Sequence, residues 1–113
     1  MTARNKLLTA PPYPVEQSLK RLGADLRTAR LRRNLTLLDM AEKIGTGTRA
    51  VADAEKGKPS TGIAVYAAML WALDLLDQLQ EVGAPERDEE GQTLALGRER
   101  VRARPKAELD NDF

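Results

Sequence analysis

Any chemistry this chain does has to manage without histidine or cysteine, because neither occurs in its 113 residues. That excludes thiolate nucleophiles, disulfides, thiolate zinc sites and imidazole bases together, and it fits a reducing compartment. Acids, Lys, Tyr, Ser and Thr are what remain for catalysis. No glycine-rich phosphate loop and no metal-ligand spacing accompanies them, so no enzyme, cofactor or metal site is expected. The side chains near Gly47 suit recognition instead. Arg49 can make a bidentate contact to guanine, a pairing that discriminates by about 1–3 kcal/mol. Thr48 can donate to a base edge or touch a thymine methyl, and Asp53 can accept from a cytosine amine or orient Arg49. Lys56 and Lys58 suit backbone phosphates, as do the amides at the helix starts near Thr36 and Gly47.

Two short helices and a tight turn must hold these groups. Thr36 is a hydroxyl N-cap before the apolar-periodic run Leu37, Met40, Ala41 and Ile44, and Asp39 stands in the first turn, where the helix dipole favours an acid. Gly45 stops that helix. The methyl of Ala41 would let a second helix cross closely, Gly47 caps that helix without a side chain, and Val51 and Ala54 give it a narrow buried stripe. Gly57 is placed to end it in a left-handed conformation. Thr46 and Gly47 then lie at the turn, and Thr48, Arg49, Ala52 and Asp53 lie on or beside the outward face. Two helices of about eight residues joined by a glycine turn make a helix-turn-helix unit.

This stretch resembles the lambda-repressor-like (XRE) helix-turn-helix family. The matching residues are Leu26, Arg30, Leu35, Met40, Ala41, Ile44, Gly45, Val51, Glu55 and Gly57, and the resemblance covers roughly residues 19–79. It implies a compact five-helix domain, an all-α fold, base contacts at Thr48, Arg49, Ala52 and Asp53, and an ion pair between Arg30 and Glu55 that braces the first helix against the recognition helix. Leu37 stands where many members carry a Gln that touches the backbone and supports base reading. The loop after Glu55 is also shorter than usual.

Charge is divided along the chain. Residues 1–58 hold twelve Lys or Arg against six acids, and residues 59–113 hold six against eleven. A basic half that contains the motif is the footprint of a DNA-facing surface. The longest apolar run, Ile63 to Leu73, is too short to span a bilayer, and no signal peptide opens the chain, so a cytoplasmic protein is expected.

Three segments follow from the pattern: an N-terminal arm (1–14), the DNA-binding domain (15–82) and a charged tail (83–113). Prolines at 11, 12 and 14 extend the arm, in which Arg4 and Lys6 could reach DNA and Leu7, Leu8 and Tyr13 could pack. The first long helix should run from Val15 or Glu16 to about Arg33, with Leu19, Leu22, Leu26 and Ala29 inward. Its outward face carries Lys20, Arg21, Arg27, Arg32 and Arg33, candidates for phosphate contact. A further helix, capped by Ser60 and Thr61, is apolar nearly all round from Ile63 to Leu73 and needs burial on more than one side. With a short fifth helix it is expected to form a homodimer interface through Tyr66, Leu70, Trp71, Leu75, Leu76 and Leu79, the aromatics serving alternatively as core. Beyond Val82 the acidic, basic and acidic blocks rarely fold alone, so flexible tails are expected at both ends, the C-terminal one alternatively ordering on a partner or on DNA. Phe113 would be a small exposed hook.

The function implied is a sequence-specific transcriptional repressor that binds a palindromic operator in double-stranded DNA as a dimer, its recognition helices about 34 Å apart. Within that class the single domain with tails is similar to antitoxins of HipB type, which hold a HipA-like kinase toxin and regulate their own operon. Phage-type repressors without a toxin partner share the fold. An interaction module with a degenerate motif that does not read DNA is the alternative, since Leu37, Ala50 and Ala52 make a thin reading surface.

Overall fold

A computed structural model describes residues 5–111, with side-chain surroundings for residues 5–103. Arg4 and Phe113 lie outside the described residues. The chain is all-helical, and among the described residues there is no strand. It divides into two units between Leu79 and Gln80.

The first unit begins with one short turn of helix, α1 (Lys6–Thr9), where an extended arm was expected. The Asn5 side chain accepts the Leu7 N–H at 3.0 Å and starts it. Helix α2 (Tyr13–Arg32) starts two residues before the expected Val15. Pro14 sits in its first turn, where the missing N–H would have had no partner, so the proline is tolerated and does not delay the helix. Helices α3 (Leu37–Ile44), α4 (Thr48–Glu55) and α5 (Ile63–Ala72) follow. Helix α5 is preceded by Gly62 with no side-chain cap, and Ser60 and Thr61 form a turn in which the Thr61 N–H donates to Lys58 O at 3.0 Å. The expected short fifth helix is a tighter 3-10 turn, Leu76–Glu81.

Helices α3 and α4 pack on each other, α4 packs on α2, and α5 packs on α3 and α4. Their shared core is Leu26, Met40, Ala41, Val51, Ala54, Tyr66, Met69, Leu70 and Leu73. Met40, Met69, Leu73 and Val51 are buried completely, each burial contributing about 1.5–3 kcal/mol. Around it Leu22, Leu35, Leu37, Ile44, Leu75, Leu76 and Leu79 are partly covered. The apolar helix α5 thus spends one side on the protomer's own core. Its other side remains bare, with Ile63 70% and Trp71 59% exposed.

The second unit holds a 3-10 turn, Pro85–Arg87, and the helix α6 (Glu89–Asn111), where an unfolded tail was expected. Local chemistry accounts for its start. The Asp88 carboxylate accepts the Gly91 N–H at 2.9 Å, and Glu89 and Glu90 fill the first turn, where the dipole favours them. Among the described residues no helix is long and apolar enough to cross a membrane.

Candidate nucleic-acid interface

The interface is built from the α3 cap upward. The Thr36 hydroxyl accepts the Asp39 N–H at 3.0 Å while the Asp39 carboxylate accepts the Thr36 N–H at 2.8 Å, a reciprocal box that fixes where α3 begins. The Thr36 amide first and its hydroxyl second hold the Asp39 carboxyl below its usual range. At the far end Gly45 turns left-handed, with φ 81°, and its N–H and that of Thr46 both donate to Ala41 O at 2.9 Å. Three residues, 45–47, separate the end of α3 from the start of α4.

Helix α4 is positioned from one side and from its C-terminal end. Val51 and Ala54 are buried in the core, which leaves Thr46, Gly47, Thr48 and Arg49 exposed and Ala52 and Asp53 half-buried. No side chain caps its first turn. At the C-terminal end Arg30 of α2 meets Glu55 twice, Nε to Oε2 at 2.7 Å and Nη2 to Oε1 at 2.9 Å, and its Nη1 donates to Leu35 O at 2.8 Å. The side chains of this pair are only 7% and 6% exposed. Hydrogen bonding to Glu55 raises the Arg30 guanidinium above its ordinary value against the opposing effect of burial, and charge attraction adds to it.

Two glycines let the backbones close on each other. A Cβ on Gly23 of α2 would lie 2.5 Å from the carbonyl oxygens of Ala54 and Glu55. Gly57 has φ 70°, and a Cβ there would lie 2.5 Å from Leu19 O. Gly57 was assigned from the sequence only as a helix stop, and Gly23 was missed. Its signal was a glycine in the middle of a helical pattern, which generally marks close backbone approach.

The charged groups around this end of the unit divide into engaged and free. The Asp53 carboxylate takes the Lys58 ammonium at 3.1 Å, and among the described residues it makes no ion pair with Arg49. Arg49 and Lys56 are exposed and take part in no ion pair among the described residues. A notch of about 230 Å³ between α2 and α4 is lined by Arg27, Arg30, Leu37, Ala52, Glu55 and Lys56. Glu55 neutralises one of its three cations, and the remaining positive charge suits a phosphate. Of the basic residues expected on the outward face of α2, Lys20 pairs with Glu16 at 3.0 Å. Arg33 is also engaged, donating to Ala29 O at 2.8 Å and Leu73 O at 3.0 Å.

The residues expected at a dimer interface do not stay together. Tyr66 and Leu70 are buried in the chain's own core, because α5 packs against α3 and α4, and they have no surface left to offer. Leu75, Leu76 and Leu79 are half-buried at the core's edge, and Trp71 is exposed. Burial pushes the Tyr66 hydroxyl up, with the Thr61 hydroxyl acting in the opposite sense. Among the described residues no group of three or more acids could hold a metal ion. Compared with known proteins, the chain matches no family model, no curated protein and no solved structure.

Proposed function

We propose that α2 to α5 and the turn after them are a helix-turn-helix domain of the lambda-repressor-like class, and that the chain is a sequence-specific DNA-binding repressor with α4 as its reading helix. The observation that carries this reading is the disposition of α4. Its start is exposed, uncapped and carries a free Arg49, while its end is locked to α2 by Arg30, Gly23 and Gly57. A short helix held at one end and bare at the other can enter a major groove without rearranging. Lys56, Arg27 and the amides at the start of α3 would then sit along the phosphates, fixing the register in which Arg49 and Thr48 meet base edges. Ile63 and Trp71 form the bare side of α5 and supply a surface for dimerisation, which would pair two such helices over a palindromic operator. Repression is then occlusion of the promoter. Within this reading an antitoxin would also hold a kinase toxin, and the partner would co-purify from cells expressing the flanking gene.

The test is a fluorescence-anisotropy titration of the purified chain against its own upstream DNA and a scrambled duplex at two salt concentrations. A salt-dependent preference for the upstream duplex is expected. Arg49→Ala should lose that preference by about tenfold or more, the worth of one bidentate base contact, while Lys56→Ala weakens both duplexes alike and flattens the salt slope. Equal, weak binding to both duplexes would replace the repressor with an interaction module that does not read DNA. Unchanged binding by Arg49→Ala would move the reading face elsewhere.

A further inference from the structure

The notch between α2 and α4 has an apolar middle that its charged groups do not use. Arg49, Ala52 and Lys56 follow one another at spacings of three and four, so they form one stripe along α4. Arg49 opens the stripe at the free start of the helix, Lys56 closes it, and both are exposed. Between them Ala52 lines the notch together with Leu37, the first residue of α3. Both are half-buried, so each keeps some surface for an occupant.

This lining offers a base edge nothing to hydrogen-bond. Both carboxylate oxygens of Glu55 accept from Arg30, and the Glu55 side chain is only 6% exposed. The Arg30 guanidinium is turned to Glu55 and to Leu35 O. Asp53 is not part of the lining and holds Lys58. What remains polar is the exposed pair of cations Arg27 and Lys56, neither of which carries an acceptor. An adenine or cytosine amine laid over Leu37 and Ala52 would therefore lose its water and gain no partner, whereas a thymine C5-methyl needs none. That methyl stands on the backbone side of its base, so a phosphate of the same strand comes near the flanking cations. We propose that Leu37 and Ala52 form a thymine-methyl pocket, which makes a thymine next to the base met by Arg49 a fixed element of the sequence that is read. The proposal rests on the DNA-reading role of α4 and adds a specificity determinant to it. Leu37 then reads by shape where a polar side chain would read by hydrogen bond.

Deoxyuridine provides the test, because it lacks only the methyl and keeps every hydrogen-bonding group of thymine. The full chain is titrated by fluorescence anisotropy against its own upstream duplex, the scrambled duplex, and upstream duplexes in which one thymine at a time is replaced by deoxyuridine. Replacing the thymine over Leu37 should weaken binding about fourfold, the worth of one buried methyl group. Leu37→Gln should bind that deoxyuridine duplex and its thymine parent equally, with circular dichroism confirming that its helices form. Ala52→Ser carries the same comparison if the glutamine chain does not fold. A preference for the upstream duplex with no replacement costing as much as twofold would overturn the proposal and leave DNA reading in place. So would a sensitive thymine whose effect is undiminished in the folded variant, since another side chain would then hold the methyl. Equal, weak binding to every duplex would remove the DNA-reading role itself and this proposal with it.

Discussion

Helices α4 and α6 are both turned to solvent, yet they are ordered by opposite means. Helix α4 has eight residues, too few to be stable alone, and no side chain caps its first turn. It exists because Val51 and Ala54 are buried, because Glu55 is held by Arg30, and because Gly23 and Gly57 let α2 lie against its end. Helix α6 is nearly three times as long, and its start is set by its own residues: the Asp88 cap and two acids in the first turn. Exposure therefore has two meanings in one chain. In α4 it is a face left free by a helix anchored elsewhere, and in α6 it is the face of a helix that packs, within its own unit, on the turn Pro85–Arg87.

Removing the anchor of α4 should give the largest effect. Glu55→Ala strands the Arg30 guanidinium among buried neighbours and should lower stability by about 3–5 kcal/mol, read by thermal or denaturant unfolding. A loss below about 1 kcal/mol would mean that the pair behaves like one on the surface. Gly23→Ala comes next. Its methyl must displace backbone carbonyls, which cannot rotate away, so a loss of about 1–3 kcal/mol is expected by the same measurement.

The cap of α3 should give a smaller, pH-dependent effect. The Asp39 carboxyl is held low in the folded chain, so its contribution is complete above the ordinary carboxylate value of about 4 and fades as pH falls through its lowered value. Asp39→Asn should flatten this acid limb of the stability profile and leave its neutral side sloping as before. The smallest effect belongs to α6. Leu96→Ala removes an exposed side chain and should change the unfolding of the first unit by less than about 0.5 kcal/mol. A larger loss would erase the contrast between the two helices.

What could be read from the sequence was mostly what neighbours in sequence decide. The Thr36 and Asp39 box, the stops at Gly45 and Gly57, and the inward set Leu26, Met40, Ala41, Val51 and Ala54 all follow from residues a few positions apart. Arg30 and Glu55 were named from a resemblance, and the structure joins them. Where distant backbones meet, the sequence was silent: nothing near Gly23 says that α4 lies against it. Nothing near Arg33 says that it will reach Leu73 O, 40 residues on. Helix α5 misled for a related reason. Its uniform apolarity conceals which side the core takes, so Tyr66 and Leu70 could not be told from Ile63 and Trp71 by periodicity. In α6 the charge blocks suggested an unfolded tail, whereas the Asp88 cap and the acids of the first turn point the other way.

The three hydrogen bonds of Arg30 reach beyond stability. One planar side chain clasps α2, the residue that leads into α3, and the last residue of α4, so none of the three can swing without breaking it. Under the proposed reading, DNA docked on α4 would meet a surface whose shape is settled beforehand. Association then sacrifices little conformational entropy on this side, and most of the ordering cost falls on the partner. Calorimetry should accordingly find a heat-capacity change accounted for by the contact area alone, without the excess that accompanies folding on binding.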